Sequence, residues 1–170
     1  MAKRYIGEET EKVYLMTIGV EFHSKIIEVL ISNFKFKLNL MIWDIGGQER
    51  WYELRPSFYL GSSGAILVYD VTRDVTYRNI EAWADEFVKK VGVKPMVLVG
   101  NKIDLRDKIP SLRLKDGLLL ASKLSKKYGI EVPYHETSAL LGINVNRPFE
   151  DLVRLIINMF ISKSKTKITK

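Results

Sequence analysis

Apolar and polar residues alternate from Phe34 to Asp44, a pattern typical of a β-strand with one buried and one exposed face. The segment before it, Val20 to Ile31, is rich in β-branched and apolar residues, and Ser32-Asn33 between the two favours a turn. The pattern therefore predicts a β-hairpin.

Three compact apolar runs follow, and each ends in polar residues: Ala65 to Asp70, Pro95 to Asn101 and Val132 to His135. Such runs are typical of buried parallel strands. Apolar residues at helical spacing lie between and after them, in Ile80 to Val88 with Gly92 beyond, Leu112 to Tyr128 with Gly129 beyond, and Phe149 to Phe160. The alternation predicts an α/β fold with three layers, a mostly parallel sheet with helices on both faces.

The remaining segments carry weaker patterns. Trp51 to Leu60 is polar and aromatic with Pro56 inside it, which indicates a short irregular helix, and Ala2 to Met16 is mostly polar. At 170 residues the chain is long enough for one domain with a substantial core. We expect that domain to span 1–162 and to be followed by a basic tail at 163–170.

The composition excludes several classes of site. There are no cysteines, which excludes disulfides, thiolate zinc sites and a prenylated C-terminal cysteine, and suits the cytoplasm. The two histidines, His23 and His135, are too few and too far apart in sequence for a histidine metal site. The longest apolar runs are shorter than the roughly 18 residues that a membrane span needs.

The net charge of +7 is concentrated at the end of the chain, where Lys163, Lys165, Lys167 and Lys170 lie. This tail is either solvated or weakly attracted to anionic lipid, by about 1 kcal/mol per lysine, which would make the protein peripheral at a membrane. Basic residues elsewhere are interspersed with acids, so the sequence does not favour a nucleic-acid partner.

The first chemical motif is Asp44-Ile45-Gly46-Gly47-Gln48, at the end of the second hairpin strand. A carboxylate at a strand end can hold Mg²⁺ beside a phosphate, and Gly47 can offer its backbone N–H at close range. Gln48 can orient a water because its amide both donates and accepts. By itself the motif also fits a plain strand end with a glycine turn.

Two further motifs follow strands in the same way. In Asn101-Lys102-Ile103-Asp104 the carboxylate can accept hydrogen bonds from guanine N1–H and its exocyclic amine, a donor pair that adenine lacks. In Glu136-Thr137-Ser138-Ala139 small residues would let backbone N–H groups approach a ligand. The alternatives are a polar loop with a capping Asp and a loop that caps the last helix.

Together, in this order, the three motifs resemble the small GTPases of the Ras superfamily, and above all the Rab branch. Three segments carry the Rab likeness: Thr17-Ile18-Gly19-Val20-Glu21-Phe22, Arg50-Trp51-Tyr52-Glu53-Leu54 and Leu67-Val68-Tyr69-Asp70-Val71-Thr72. The resemblance implies a G-domain fold and contacts with effector or regulatory proteins through Ile18–Phe22, Trp43 and Trp51–Phe58. Phe22, Trp43 and Phe58 fall on the aromatic triad that Rab proteins show to effectors.

The resemblance also implies a ligand, GTP or GDP with Mg²⁺, and a role for each matching residue. Thr17 and Asp44 would hold Mg²⁺, Gly47 would donate to the γ-phosphate, and Gln48 would position the attacking water. Asn101 and Asp104 would recognise guanine, Lys102 would lie along the nucleotide, and Ser138 and Ala139 would contact the base oxygen.

The sequence departs from the family pattern in three ways. Gly46 stands where Ala is usual, which predicts a looser second switch, and Leu140 stands where many members have Lys. No Gly-x-x-x-x-Gly-Lys-Ser/Thr phosphate loop occurs. The family's opening strand, phosphate loop and first helix, roughly thirty residues, would precede Arg4-Tyr5, so we expect an interruption between the strands ending at Asp44 and Asp70.

Three hypotheses follow. The chain belongs to a GTP-hydrolysing switch whose phosphate loop is encoded upstream of Met1, or it is a non-hydrolysing interaction module that displays Phe22, Trp43 and Phe58. The third is a fragment completed by a strand from another chain.

Overall fold

The computed structural model describes residues 1–8, 17, 19–31, 34–47 and 55–168, with the backbone alone for residues 31 and 163–168. The strands are β1 (Val20–Ile31), β2 (Phe34–Ile45), β3 (Ala65–Asp70), β4 (Met96–Asn101) and β5 (Tyr134–Thr137). The helices are α1 (Ala2–Ile6), α2 (Arg55–Tyr59), α3 (Asp74–Arg78), α4 (Ile80–Val91), α5 (Leu114–Tyr128) and α6 (Arg147–Ile168).

The predicted hairpin is confirmed. Strands β1 and β2 pair antiparallel, with Val20 opposite Ile45 at one end and Ile31 opposite Phe34 at the other. The hairpin therefore carries Asp44 to the end of β2, opposite Glu21. The predicted turn residues, 32 and 33, lie outside the described ranges.

The parallel sheet is also confirmed, in the order β3-β4-β5. Strand β4 lies in the centre, and its residues Met96 to Val99 are all 0% exposed, so both faces of the sheet are covered. Strand β5 begins two residues later than the predicted Val132. Pro133 has no N–H to donate, but its carbonyl accepts a hydrogen bond from the backbone N–H of Leu98.

Helices cover both faces, which confirms the three-layer α/β class. On one face Leu67, Tyr69 and Leu98 form a core with Phe87 of α4 and Leu124 of α5. On the other face α6 packs against β3, β4 and β5. The predicted helix after Leu112 begins at Leu114 and ends at Tyr128, and Gly129 caps it with φ 66°.

The hairpin and the parallel sheet are separate, where the sequence predicts one sheet. In the described ranges β2 and β3 do not pair, so the expected interruption between the strands of Asp44 and Asp70 is present. Side chains join the two sheets instead: Leu40, Ile42 and Ile66 pack against a cluster that includes the stacked rings of Tyr5 and Phe149, 3.7 Å apart.

Two helices differ from the sequence prediction. Ala2–Ile6 forms α1, whose Tyr5 is buried although the segment is mostly polar. Helix α6 is longer than the predicted Phe149 to Phe160 and continues to Ile168, into the segment predicted as a tail. In the part of the chain that the structure describes, no helix has the length and apolar character to cross a membrane.

Candidate functional site

The residues predicted to recognise guanine lie together, because β4 and β5 are neighbouring parallel strands whose carboxyl ends share one edge. Asn101 Oδ1 accepts hydrogen bonds from Thr137 Oγ1 at 3.0 Å and from Ala139 N at 3.1 Å. Ser138 Oγ donates to Asp104 Oδ1 and accepts from the backbone N–H of Leu141. These bonds hold the two motifs as one unit.

Lys102 is tied to a residue to which the sequence analysis assigned no role. Its Nζ lies 2.8 Å from Asp70 Oδ2, at the end of β3, and its backbone is left-handed with φ 71°. Burial raises the pKa of Asp70, but hydrogen bonds from Lys102 and Thr72 outweigh that effect and hold the pKa below its usual range. Asp70 could have been suspected because it ends a strand as Asp44 does.

A polar network supports the base motifs from behind. The Arg106 guanidinium donates two hydrogen bonds to the Glu136 carboxylate and one to the carbonyl of Leu112. The hydroxyls of Tyr134 and Tyr69 lie 2.7 Å apart, and Tyr134 also donates to Glu136. Burial raises the pKa of Tyr69 to about 12, so its hydroxyl stays protonated at neutral pH.

Of the two residues predicted to hold Mg²⁺, Asp44 lies near the end of β2 and Thr17 lies against the turn that follows it. Gly46 N donates to the carbonyl of Gly19 at 2.8 Å, and a Cβ at Gly46 would lie only 2.4 Å from the carbonyl oxygen of Thr17. The segment with Thr17 therefore lies against the turn that follows Asp44. This contact gives a reason for Gly46 that the sequence did not show: an alanine has no room in this conformation.

Gly47 is backed by an aromatic ring. A Cβ there would lie 2.8 Å from the Trp83 ring of α4, and the Arg55 guanidinium lies 4.9 Å from the centroid of the same ring. Arg55 also forms an ion pair with Glu86 at 3.4 Å, and their side chains are only 5% and 13% exposed. No sequence pattern indicates this cluster, because its members are far apart in the chain. Gln48 lies outside the described residues.

The predicted aromatic triad is continuous in space. The rings of Phe22 and Trp43 are 5.1 Å apart, and those of Trp43 and Phe58 are 5.7 Å apart. Phe22 is 49% exposed and Trp43 is 46% exposed, so the triad offers an apolar surface to solvent. Ile18 and residues 51–54, which the sequence assigned to the same surface, lie outside the described ranges.

The side chains fit the ligands that the sequence implied. The Asp104 carboxylate and the Ser138 hydroxyl, at the carboxyl edge of parallel strands, suit a planar base with N–H and carbonyl groups. Asp44 and Thr17 offer oxygen atoms, which Mg²⁺ prefers, and such a site takes its remaining ligands from phosphate and water.

Comparison with known proteins gives a family. Residues 1–158 match the sequence model of the Ras family. The chain is 36% identical over 156 residues to the Ypt/Rab-type GTPase YPT7 of Saccharomyces cerevisiae, which covers 89% of this chain and 71% of that protein. It is 32% identical over 159 residues to Ras-related protein Rab7 of Drosophila melanogaster, and this alignment covers 91% of this chain and 72% of that protein. For Ras-related protein Rab-7a of Dictyostelium discoideum the identity is 34% over 164 residues, which cover 94% of this chain and 76% of that protein.

The chain belongs to the Ras family, whose members are small GTPases. Within that family it is Rab-like. Ras and Rab proteins in general bind GTP or GDP with Mg²⁺, hydrolyse GTP and bind effector and regulatory proteins.

Proposed function

We propose that this chain is the guanine-recognising part of a GTP-dependent switch in regulation or trafficking. The observation that carries the proposal is the hydrogen-bonded unit formed by Asn101, Asp104, Ser138 and Ala139. Asp104 recognises the base through its carboxylate, Asn101 holds the loop after β5 in place, and Ser138 and Ala139 line the side of the base oxygen. Lys102 lies along the nucleotide, positioned by Asp70.

The phosphate side of the proposed site is formed by the residues around β2. Thr17 and Asp44 hold Mg²⁺, Gly47 donates its N–H to the γ-phosphate, and Gln48 positions the attacking water. The 170 residues contain no phosphate-loop motif, whose backbone amides and lysine supply most of the grip on phosphates in this family. We therefore expect this chain by itself to bind guanine nucleotides in the millimolar range at best, and to co-purify with little GDP or GTP.

The proposal is tested by base selectivity. Saturation-transfer NMR at millimolar concentration should show binding of GDP and none of ADP. In the Asp104→Asn variant the preference should move from GDP to xanthosine diphosphate, because an amide donor matches the extra carbonyl of xanthine. Equal binding of GDP and ADP by the unaltered chain would contradict the proposal, and so would a tightly bound nucleotide that is not a guanine nucleotide.

The exposed aromatic triad favours a second candidate, a non-hydrolysing interaction module. In that case Phe22 and Trp43 bind a partner whether or not nucleotide is present. The coding DNA upstream of Met1 distinguishes the two: an in-frame Gly-x-x-x-x-Gly-Lys-Ser/Thr supports the hydrolysing switch. A third arrangement, in which another chain supplies a strand beside β2, predicts a stable complex of two chains in solution.

The partner surfaces follow from the same residues. Effector or regulatory proteins bind through the segment 18–22, Trp43 and the segment 51–58. The protein acts in the cytoplasm and is peripheral at a membrane, with its lysine-rich end against anionic lipid by about 1 kcal/mol per lysine.

A further inference from the structure

The amino edge of the parallel sheet is the end of the molecule opposite the base motifs. Helices α4 and α5 run back from the carboxyl edge and end there, as right-handed strand–helix–strand units require. Lys89 and Lys90 lie in the last turn of α4, and Lys126 lies in the last turn of α5. Lys94 follows two residues before β4 begins. We call Lys89, Lys90, Lys94 and Lys126 the basic edge.

Helix α6 reaches the same end of the molecule from the other face of the sheet. A Cβ at Gly64, just before β3, would lie 2.8 Å from both Leu152 Cδ1 of α6 and the carbonyl oxygen of Pro95. Ile156 Cδ1 would lie 3.3 Å from the same Cβ, so α6 passes the starts of β3 and β4 near Ile156. At about 1.5 Å per residue, α6 then extends about 18 Å beyond it, to Ile168.

The charge at this end is strongly one-sided. Lys89, Lys90 and Lys126 are exposed and Lys94 is half-buried, and within the described ranges none of the four forms an ion pair. The projecting part of α6 carries Lys163, Lys165 and Lys167 in its sequence. Among acids of the neighbouring segments Asp85 is paired with Lys127, which leaves Glu131 as the exposed carboxylate nearest in sequence.

Exposed apolar side chains neighbour these lysines in the sequence. Val93, in the turn between Lys90 and Lys94, is 45% exposed, and Phe160 on α6 is 56% exposed. Lysines around scattered exposed apolar groups are the composition of surfaces that lie in the headgroup region of a bilayer. Nucleic-acid surfaces rely more on arginine and stacking rings, and this edge has lysine alone as its basic residue type.

We propose that the basic edge docks on an anionic lipid bilayer, at the end of the molecule toward which α6 projects. The inference deepens the proposed contact of the lysine-rich end and rests on it, but adds the folded domain to the contact. Docking through this end directs the base motifs and the carboxyl edge of the sheet away from the lipid. The orientation of the domain is then set by the domain itself, in addition to its last helix.

The test is co-sedimentation of the full chain with vesicles of phosphatidylcholine containing about 30% phosphatidylserine, at about 0.1 M salt. The triple variant Lys89→Gln, Lys90→Gln, Lys94→Gln should bind at least tenfold more weakly, because each lysine contributes about fivefold in partition. Binding of the unaltered chain should fall at about 0.5 M salt and be absent on pure phosphatidylcholine.

A matched control removes the same charge elsewhere. Arg73, Lys108 and Lys115 are exposed at the carboxyl edge of the sheet, after β3, after β4 and at the start of α5, so changing all three to Gln should alter binding less than threefold. Circular dichroism of both triple variants should match the unaltered chain, since Gln and Lys have similar helix propensities. Equal losses in the two variants would show an effect of net charge and overturn the proposal.

A third variant separates this inference from the proposed contact of the lysine-rich end. If Lys163→Gln, Lys165→Gln, Lys167→Gln abolishes binding while the basic-edge variant binds normally, the basic edge has no role and the contact of the end stands. If the unaltered chain does not bind anionic vesicles, both the docking of the basic edge and the contact of the lysine-rich end are contradicted. Tighter binding to duplex RNA than to vesicles would also overturn the inference, in favour of a nucleic-acid surface.

Discussion

The Nζ atom of Lys102 lies 2.8 Å from Oδ2 of Asp70, and this ion pair joins the carboxyl ends of two neighbouring strands. Asp70 ends β3 opposite Asn101, the last residue of β4, so Lys102 is the first residue beyond the paired backbone. Its left-handed backbone, with φ 71°, costs energy for a side chain of this kind. The contact with Asp70 helps to offset that cost and holds the lysine side chain at the end of β3.

Replacing Asp70 with Asn should therefore weaken the fold and change its response to acid. We expect the free energy of unfolding to fall by about 1–3 kcal/mol at neutral pH, because Lys102 loses a charged partner at a largely buried site. The pKa of Asp70 is lowered in the folded state, so its stabilisation is present above the unfolded pKa and is lost as the pH falls through the folded pKa.

Urea unfolding measured between about pH 3 and 7 should show a smaller loss of stability on acidification in Asp70→Asn than in the unaltered chain. Asp74→Asn is the control, because Asp74 pairs with Arg78 on the surface and its side chain is 52% exposed. Its removal should cost less than about 1 kcal/mol. Identical acid responses of all three proteins would contradict the role of Asp70.

The ion pair between Arg55 and Glu86 should matter far more than a surface pair. Glu86→Gln removes the carboxylate with which the buried Arg55 guanidinium forms its ion pair, and we expect a loss of about 3–5 kcal/mol in the free energy of unfolding. The double variant Arg55→Leu, Glu86→Leu should lose less than Glu86→Gln alone, because it removes the buried guanidinium together with the carboxylate. Glu81→Gln, on the same helix, removes an exposed pair with Lys123 and should cost less than about 1 kcal/mol in the same urea titrations.

Gly46→Ala should displace the segment that carries Thr17. The new Cβ would lie 2.4 Å from the Thr17 carbonyl oxygen, which is backbone and has little freedom to move aside. Overpacking of this kind costs about 1–3 kcal/mol. Amide hydrogen exchange should become faster in 19–22 and at Gly47, with little change in β4. Unaltered exchange in these segments would mean that the turn accepts an alanine.

Gln48→Leu tests the catalytic assignment, which stays a prediction. In a version of the chain that carries a phosphate loop upstream, GTP hydrolysis in single turnover should slow about 10-fold or more while GTP affinity changes little. The reason is that positioning of the attacking water stabilises the transition state and not the bound GTP. The neighbouring Glu49 is a poorer candidate, because its carboxylate would be repelled by the phosphates. Hydrolysis at an unchanged rate would remove Gln48 from the mechanism.

Local sequence determined much of this protein. The alternation from Phe34 to Asp44 was enough for a hairpin strand, and the apolar run from Pro95 to Asn101 was enough for the buried central strand of the sheet. Because a strand has a fixed direction, the polar residues just after such runs had to lie at the carboxyl edge. Strand direction therefore assigns Asn101, Asp104 and Ser138 to one edge of the sheet, and the resemblance to small GTPases implies that they share a ligand.

Tertiary structure alone decided the contacts between distant parts of the chain. The local sequence around Arg55 does not indicate that it pairs with Glu86, and the sequence around Lys102 does not indicate that it pairs with Asp70. Such pairs depend on how helices and strands pack. The same holds for Gly46, which looked like a loosening substitution until the Thr17 carbonyl was found against it. The periodicity of apolar residues indicates which face of a helix or strand is buried. Which other element packs against that face depends on the whole fold.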